Sequence, residues 1–178
     1  MPGCERGVLV REGGRRSTQL GAADPRPDWC DLRDVVAGAA ENVRRQVGAL
    51  EVELDLPDEL PLVRVDSVQA ERIFSNLIEN AVKFSPPGEP VRIAANDGPR
   101  IAVRVSDSGR GIAGAQRAHV FEPFFRGRDG SPGSGLGLAI CRGFVEANGG
   151  RIQVQARERR GTTFLVTFPR APQPAAAP

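Results

Sequence analysis

Residues 67–84 read SVQAERIFSNLIENAVKF, and the placement of polar and apolar side chains in this stretch decides the fold. Asp66 or Ser67 is a fair helix cap, and Ser85-Pro86-Pro87-Gly88 ends the run, so a helix to about Phe84 is predicted. Asn76, Asn80 and Lys83 are spaced four and three apart, which places them on one stripe of that helix. Ile73, Phe74, Leu77, Ala81 and Phe84 fall on the other side and are expected to face a sheet. An Asn side chain offers a carbonyl oxygen, the hard ligand that Mg²⁺ prefers, and a Lys one turn away holds phosphate as a point charge. The stripe therefore suits a metal-bound polyphosphate, with an ordinary solvated polar face as the competing reading.

Upstream, Leu32, Val35, Val36, Ala39, Val43 and Val47 recur at helical spacing after Asp31, a second capping residue. Val52, Leu54 and Leu56 alternate with acidic residues, the period of a strand with one wet face, and Leu62 to Val65 reads as another short strand. Downstream, Val91 to Ala95 and Arg100 to Val105 are strands joined by the turn residues Asn96-Asp97-Gly98-Pro99. A helix from about Gly135 to Asn148 precedes two last strands, Ile152 to Gln155 and Phe164 to Phe168. The order predicts an α+β fold, a two-layer α/β sandwich with three helices on one face of a mixed, mostly antiparallel sheet. Residues 1–27 are expected to be a linker or disordered start, 28–169 the folded domain, and 170–178 a disordered tail.

The 178 residues carry a formal charge of +2, with 40% hydrophobic and 26% charged residues, so a fibrous or fully disordered chain is excluded. No apolar run approaches the roughly 20 residues of a membrane helix, and residues 1–21 hold no signal peptide. A cytoplasmic protein without direct membrane contact is expected. Cys4, Cys30 and Cys141 match no zinc spacing and read as free thiols. So small a net charge gives no reason to expect nucleic acid. Lys83 is the only lysine among the 24 basic residues.

Three further motifs follow. In Asp107-Ser108-Gly109-Arg110-Gly111-Ile112 an acidic residue leaves a strand and glycines let a flat ligand approach, which suits the amino edge of a purine. A plain Gly-rich turn is the alternative. Gly133-Ser134-Gly135-Leu136-Gly137-Leu138 opens the third helix and offers its backbone N–H groups to an anion. It is neither the dinucleotide fingerprint nor a P-loop, because no βαβ unit surrounds it and no Lys-Ser/Thr pair follows. Between them, Phe121, Phe124, Phe125 and Arg126 read as a hydrophobic anchor on a mobile loop, or as core residues.

As a set and in this order, the four motifs resemble the N, G1, F and G2 boxes of bacterial sensor histidine kinases, and Gly161-Thr162-Thr163-Phe164 is similar to that family's closing signature. The likeness extends to the potassium-responsive sensor kinases, through Pro27-Asp28-Trp29 and Asn80 to Gly88. It implies the Bergerat-type ATP-binding fold shared with gyrase B, the MutL repair proteins and the ninety-kilodalton heat-shock chaperones. By resemblance Asn80, with Asn76 beside it, binds Mg²⁺, while Lys83 and Arg126 contact phosphate. Asp107 recognises adenine with Thr162, and Gly109, Gly111, Ile112 and Phe121 shape its pocket. Gly133, Gly135, Leu136, Gly137 and Leu138 pack against the triphosphate of ATP.

The family's phosphoacceptor His on a dimerising helical hairpin has no counterpart here. The only histidine, His119, precedes Phe121 and reads as a surface or lid residue. The resemblance thus implies a catalytic domain, from a fragment or a split kinase, that passes the γ-phosphoryl group to a histidine on a separate dimerisation domain. A response regulator is then an indirect partner, and a longer parent kinase is free to sit in a membrane. The other class considered is a nucleotide-dependent binding protein or serine kinase of the anti-sigma type.

Overall fold

The computed structural model describes residues 24–48, 50–127, 133–156 and 161–172. Most of the expected start (1–23) and tail (173–178), with Cys4, lie outside the described residues, as do 128–132 of the Gly-rich segment.

Helix α1 (Leu32–Val47) begins where the Asp31 carboxylate accepts the Arg33 N–H, and it buries Leu32, Val36, Ala39, Ala40 and Val43 along one face. Helix α2 (Ser67–Phe84) begins in the same way, with Asp66 accepting from Gln69 N at 3.0 Å. Asp66 also accepts the Arg26 N–H at 2.9 Å, and these two backbone bonds hold its carboxyl below the ordinary range. Ile73, Phe74, Leu77, Ile78 and Ala81 make the buried face of α2. Helix α3 (Gly137–Ala147) buries Cys141, Phe144 and Val145. It starts two residues later than expected because Gly135 takes φ +71°, outside the right-handed helical region. A short 3₁₀ turn, Gly114–Gln116, follows the G1-like loop.

Five strands form the main sheet: β2 (Val52–Asp55), β4 (Val91–Asn96), β5 (Arg100–Ser106), β7 (Thr162–Pro169) and β6 (Arg151–Ala156), in the spatial order β2-β4-β5-β7-β6. Strand β2 runs parallel to β4 and every other pair is antiparallel, so the sheet is mixed. The helices pack on one another, and α2 and α3 lie against β4, β5 and β6. Phe74 and Phe168 are fully buried in the resulting core, a burial that contributes about 1.5–3 kcal/mol for each ring. Asn148, itself buried, fastens α3 to the start of α2: its Oδ1 accepts Asp66 N–H at 2.7 Å and its Nδ2 donates to Gln69 Oε1 at 2.9 Å.

The fold class is the one expected, with three differences in detail. A short strand β1 (Asp28–Cys30) pairs antiparallel with β3 (Val63–Val65) in a separate two-stranded sheet. Three residues are too few to show a period, so nothing local marked β1. Strand β2 keeps its wet face, and Val52 and Leu56 pack against the core, but as an edge strand it leaves Leu54 47% exposed. Phe84 does not face the sheet with Ile73 and Leu77 but is 37% exposed at the end of α2. Cys30 and Cys141 are free and buried, and burial pushes the Cys141 thiol up to about 12.

Candidate functional site

The ends of α2, β5, β7 and α3 open onto one cavity of about 690 Å³, within the range of small-molecule sites. From α2 it receives Asn76, Glu79, Asn80, Lys83 and Phe84, and from the loop after β5 Asp107, Arg110, Gly111, Ile112 and Ala113. Phe125, Arg126 and Gly127 form another wall, Gly133, Gly135, Gly137 and Leu138 the α3 entrance, and Thr162 and Phe164 the β7 side. Four of the residues singled out in the sequence are not in the lining: Gly109, Phe121, Phe124 and Leu136; of these Phe124, 67% exposed, is not a core residue either. Gly109 is buried under the loop, Phe121 packs edge-on against Phe164 at 6.2 Å, and the Leu136 carbonyl accepts the Ile140 N–H at the start of α3.

Asp107 is held by backbone. Its Oδ1 accepts N–H groups from Gly109 at 2.8 Å and Thr162 at 3.1 Å, and the Thr162 hydroxyl also bonds the carboxylate. Burial nevertheless pushes its carboxyl above the usual range, and the hydrogen bonds oppose that push only in part. Two glycines make the arrangement possible. A Cβ on Gly161, at φ +80°, would stand 2.0 Å from the Asp107 carbonyl oxygen, and a Cβ on Gly109 would stand 2.3 Å from the Phe84 carbonyl oxygen. Gly161→Ala is therefore expected to cost about 2–4 kcal/mol of stability through clash and left-handed strain. Urea denaturation measures this, and a wild-type midpoint would show that the loop yields without cost.

On the α2 side, the Asn76 amide is oriented by donation from Nδ2 to the Arg72 carbonyl at 2.9 Å. Its Oδ1 then lies toward the entrance of α3, 3.1 Å from where a Gly137 Cβ would stand. A Gly133 Cβ would come within 3.3 Å of Lys83 Nζ. Burial first, and the Arg126 charge second, pull the Lys83 ammonium below its ordinary pKa. Lys83 Nζ also lies 5.0 Å from the centre of the Phe84 ring.

The cavity thus has the Asp107 carboxylate beside β7 and, around the end of α2 and the loop after Phe125, three cations, Lys83, Arg110 and Arg126, that outnumber the Glu79 carboxylate near them. That polarity suits a ligand with a hydrogen-bond donor at one end and a polyanion at the other. Among the described residues no group of three His, Cys, Asp or Glu gathers to hold a metal. A cation here would be offered amide oxygens from α2, the neighbouring Glu79 carboxylate and the ligand's own oxygens, as Mg²⁺ on phosphates commonly is. The donors of Asn76 and Asn80 fit that requirement.

Several lining residues escaped the sequence reading: Glu79, Phe84, Arg110, Gln116, Val120 and Phe164. Glu79 sits inside the Asn76–Lys83 stripe and Arg110 inside the G1-like loop, so spacing marked both places. Phe164 stood in the Gly161–Phe164 signature without a role of its own, and Val120 carried no signal distinct from a core residue. His119 is not in the lining; its Nδ1 lies 2.8 Å from Glu122 Oε1 and its ring stacks on Phe125 at 6.4 Å.

The profile of the histidine kinase-, DNA gyrase B- and HSP90-like ATPases matches residues 65–172. Sensor protein KdpD of Escherichia coli K12 is 36% identical over 159 residues, 88% of this chain and 18% of KdpD. Among solved structures, the mycobacterial sensor histidine kinase MprB aligns with a TM-score of 0.74 at 33% identity, over 83% of this chain and 100% of that chain. Full-length ShkA in complex with AMPPNP aligns with a TM-score of 0.72 at 31% identity, over 88% of this chain and 34% of its own. The chain thus spans less than a fifth of the length of KdpD.

Proposed function

The chain belongs to the histidine kinase-, DNA gyrase B- and HSP90-like ATPase family, and from that premise we propose that it is the Mg-ATP-binding catalytic domain of a sensor histidine kinase. The observation that carries this reading is the convergence of Asn76, Asn80, Lys83, Asp107, Arg126 and Thr162 on one cavity. The AMPPNP in the ShkA structure, an ATP analogue, supports ATP as the ligand. The likeness to KdpD and MprB, with the Phe-rich segment and the Asn76–Asn80 pair, favours this reading over one of the anti-sigma type. The KdpD match is consistent with the potassium-responsive branch without requiring it.

In this reading Asp107 accepts from the adenine amino group, with Thr162 beside it, while Gly111 and Ile112 line the base. Gly109 and Phe121 shape the pocket from behind. Lys83 and Arg126 hold phosphate oxygens, and Gly133, Gly135 and Gly137 bring backbone close to the triphosphate, with Leu136 and Leu138 packing the turn. Asn80 and Asn76 supply oxygens to Mg²⁺, which when bound neutralises charge on the phosphates. The chain's own contribution to catalysis is positioning and charge stabilisation. In transfer, the bond from the γ-phosphorus to the bridging oxygen breaks, ADP leaves, and a phosphorus–nitrogen bond forms on the acceptor histidine. That histidine belongs to a separate dimerisation domain, and a response regulator receives the phosphoryl group afterwards. A cytoplasmic location follows from ATP as substrate, and among the described residues no helix is long and apolar enough to cross a membrane.

The direct test is calorimetry of the isolated chain with ATP and Mg²⁺. Binding in the micromolar to sub-millimolar range, about 5–8 kcal/mol, is expected, and it should weaken when Mg²⁺ is chelated. Folded protein that gives no heat with Mg-ATP would refute the reading.

A further inference from the structure

We propose that Arg110 is a phosphate-binding residue of this cavity, positioned over the ring of Phe84, and that with Lys83 and Arg126 it completes a triad of cations around the anionic arm of the ligand. The inference rests on the nucleotide reading above and adds to it a residue that the motif does not specify.

The position of Arg110 follows from its neighbours. The loop is seated on the end of α2 at Gly109, where no Cβ would fit against the Phe84 carbonyl, and it turns at Gly111 through φ +73°. Between these two glycines Arg110 reaches back over Phe84, its Cζ 6.0 Å from the ring centre. Arg110 lines the cavity, and the far end of its guanidinium approaches the loop after Phe125, with Nη2 4.0 Å from where a Gly127 Cβ would stand, next to Arg126 in the chain. Arg110 therefore links the end of α2 to the loop that carries Arg126.

The same ring also holds Lys83 Nζ at 5.0 Å, so one half-exposed phenylalanine serves two cations. A ring face attracts each cation through its quadrupole, which accounts for an aromatic residue turned out of the core at this point. Three cations gathered from α2, the loop after β5 and the loop after Phe125 outnumber the one carboxylate among them, Glu79; Lys83 and Arg126 repel each other, which adds to burial in lowering the Lys83 pKa. A polyphosphate seated among them replaces that repulsion with attraction. The guanidinium of Arg110 adds a planar pair of donors that matches two phosphate oxygens, which the Lys83 ammonium cannot do. Phe84 is a positioning residue in this arrangement.

The test uses the isolated chain with three probes, ATP, inorganic tripolyphosphate and adenosine, followed by calorimetry and by the side-chain NMR signal of Lys83, which is unambiguous because the chain has one lysine. Arg110→Ala should weaken ATP and tripolyphosphate about tenfold, the equivalent of 1.4 kcal/mol, and leave adenosine unchanged. Arg110→Lys should recover part of the loss. Phe84→Leu, which keeps the apolar bulk and removes the ring face, should weaken the two phosphate probes but not adenosine. Arg110→Ala that binds ATP as tightly as wild type overturns the triad and leaves the nucleotide reading standing. Equal weakening of adenosine also overturns it, by showing that Arg110 only shapes the pocket. Wild type that binds tripolyphosphate, sensitive to Arg110→Ala, but shows no preference for ATP supports the triad and overturns the nucleotide reading.

Discussion

Phosphoryl transfer from ATP to a histidine-bearing dimerisation domain added in trans is expected to fall by at least about 10²–10³-fold in Asn80→Ala and to persist in His119→Ala. Asn80 lines the cavity in the middle of the α2 stripe, one turn from both Asn76 and Lys83. On the proposed reading, removing its amide takes away an oxygen that would hold the metal, and with it the alignment of the phosphates on which phosphoryl transfer depends. His119 lies outside the cavity lining, about half exposed and paired with Glu122. In-line attack needs reacting atoms at about 3–3.5 Å along one axis, and the contacts of His119 with Glu122 and Phe125 point to a surface role. The isolated chain should accordingly not label itself. Radiolabelled γ-ATP gives the readout, with acid-labile, base-stable label taken as phosphohistidine. Acid-labile label on the isolated chain that vanishes in His119→Ala would make His119 the acceptor and overturn this assignment.

Asp107→Asn is expected to separate binding from stability. The carboxyl of Asp107 is raised by burial, so the folded state holds its proton more tightly than the unfolded chain does. Between the ordinary aspartate value and the raised one, the folded state binds more protons, and stability therefore falls as pH rises through that window. Above the window the cost of the partly desolvated charge is fully present. Asparagine carries no charge and its carbonyl oxygen still accepts from Gly109 and Thr162, so the ligand-free variant should be at least as stable as wild type at neutral pH. Its affinity for ATP should nevertheless drop by roughly 2–5 kcal/mol, because a ligand donor that met a carboxylate now meets a mismatched amide in a desolvated site. Wild-type affinity should weaken at acidic pH in the same way as Asp107 takes up its proton. Denaturation and calorimetry on the same samples decide the matter. A folded variant with unchanged ATP affinity would remove Asp107 from the site, and a variant that unfolds would show that the carboxylate is structural.

Much of this molecule was legible locally. Asp31 and Asp66 announce the starts of α1 and α2, and the spacing of Ile73, Phe74 and Leu77 against Asn76, Asn80 and Lys83 separates a core face from a polar one. The β4–β5 hairpin is written in its turn residues and alternating strands, as is the Gly-rich entrance to α3. These features depend on residues a few positions apart, where helical and strand periods and turn chemistry act directly. The remainder depends on contacts that span much longer separations. Strand β1 exists only because Val63–Val65 lies beside it, and β2 is a parallel edge strand only because β4 supplies its one neighbour. Phe84 has the spacing of a core residue, yet the Gly109 turn packs on its carbonyl and its ring faces the cavity with Arg110 and Lys83 around it. Asp107 becomes a half-buried, backbone-bonded carboxylate only when Gly161 and Thr162 come beneath it from the far end of the chain. The sequence alone determined which residues carry polar chemistry and which elements bear them. The tertiary structure decided which of them share a cavity, because desolvation, close approach and the gathering of like charges arise only when distant segments pack together.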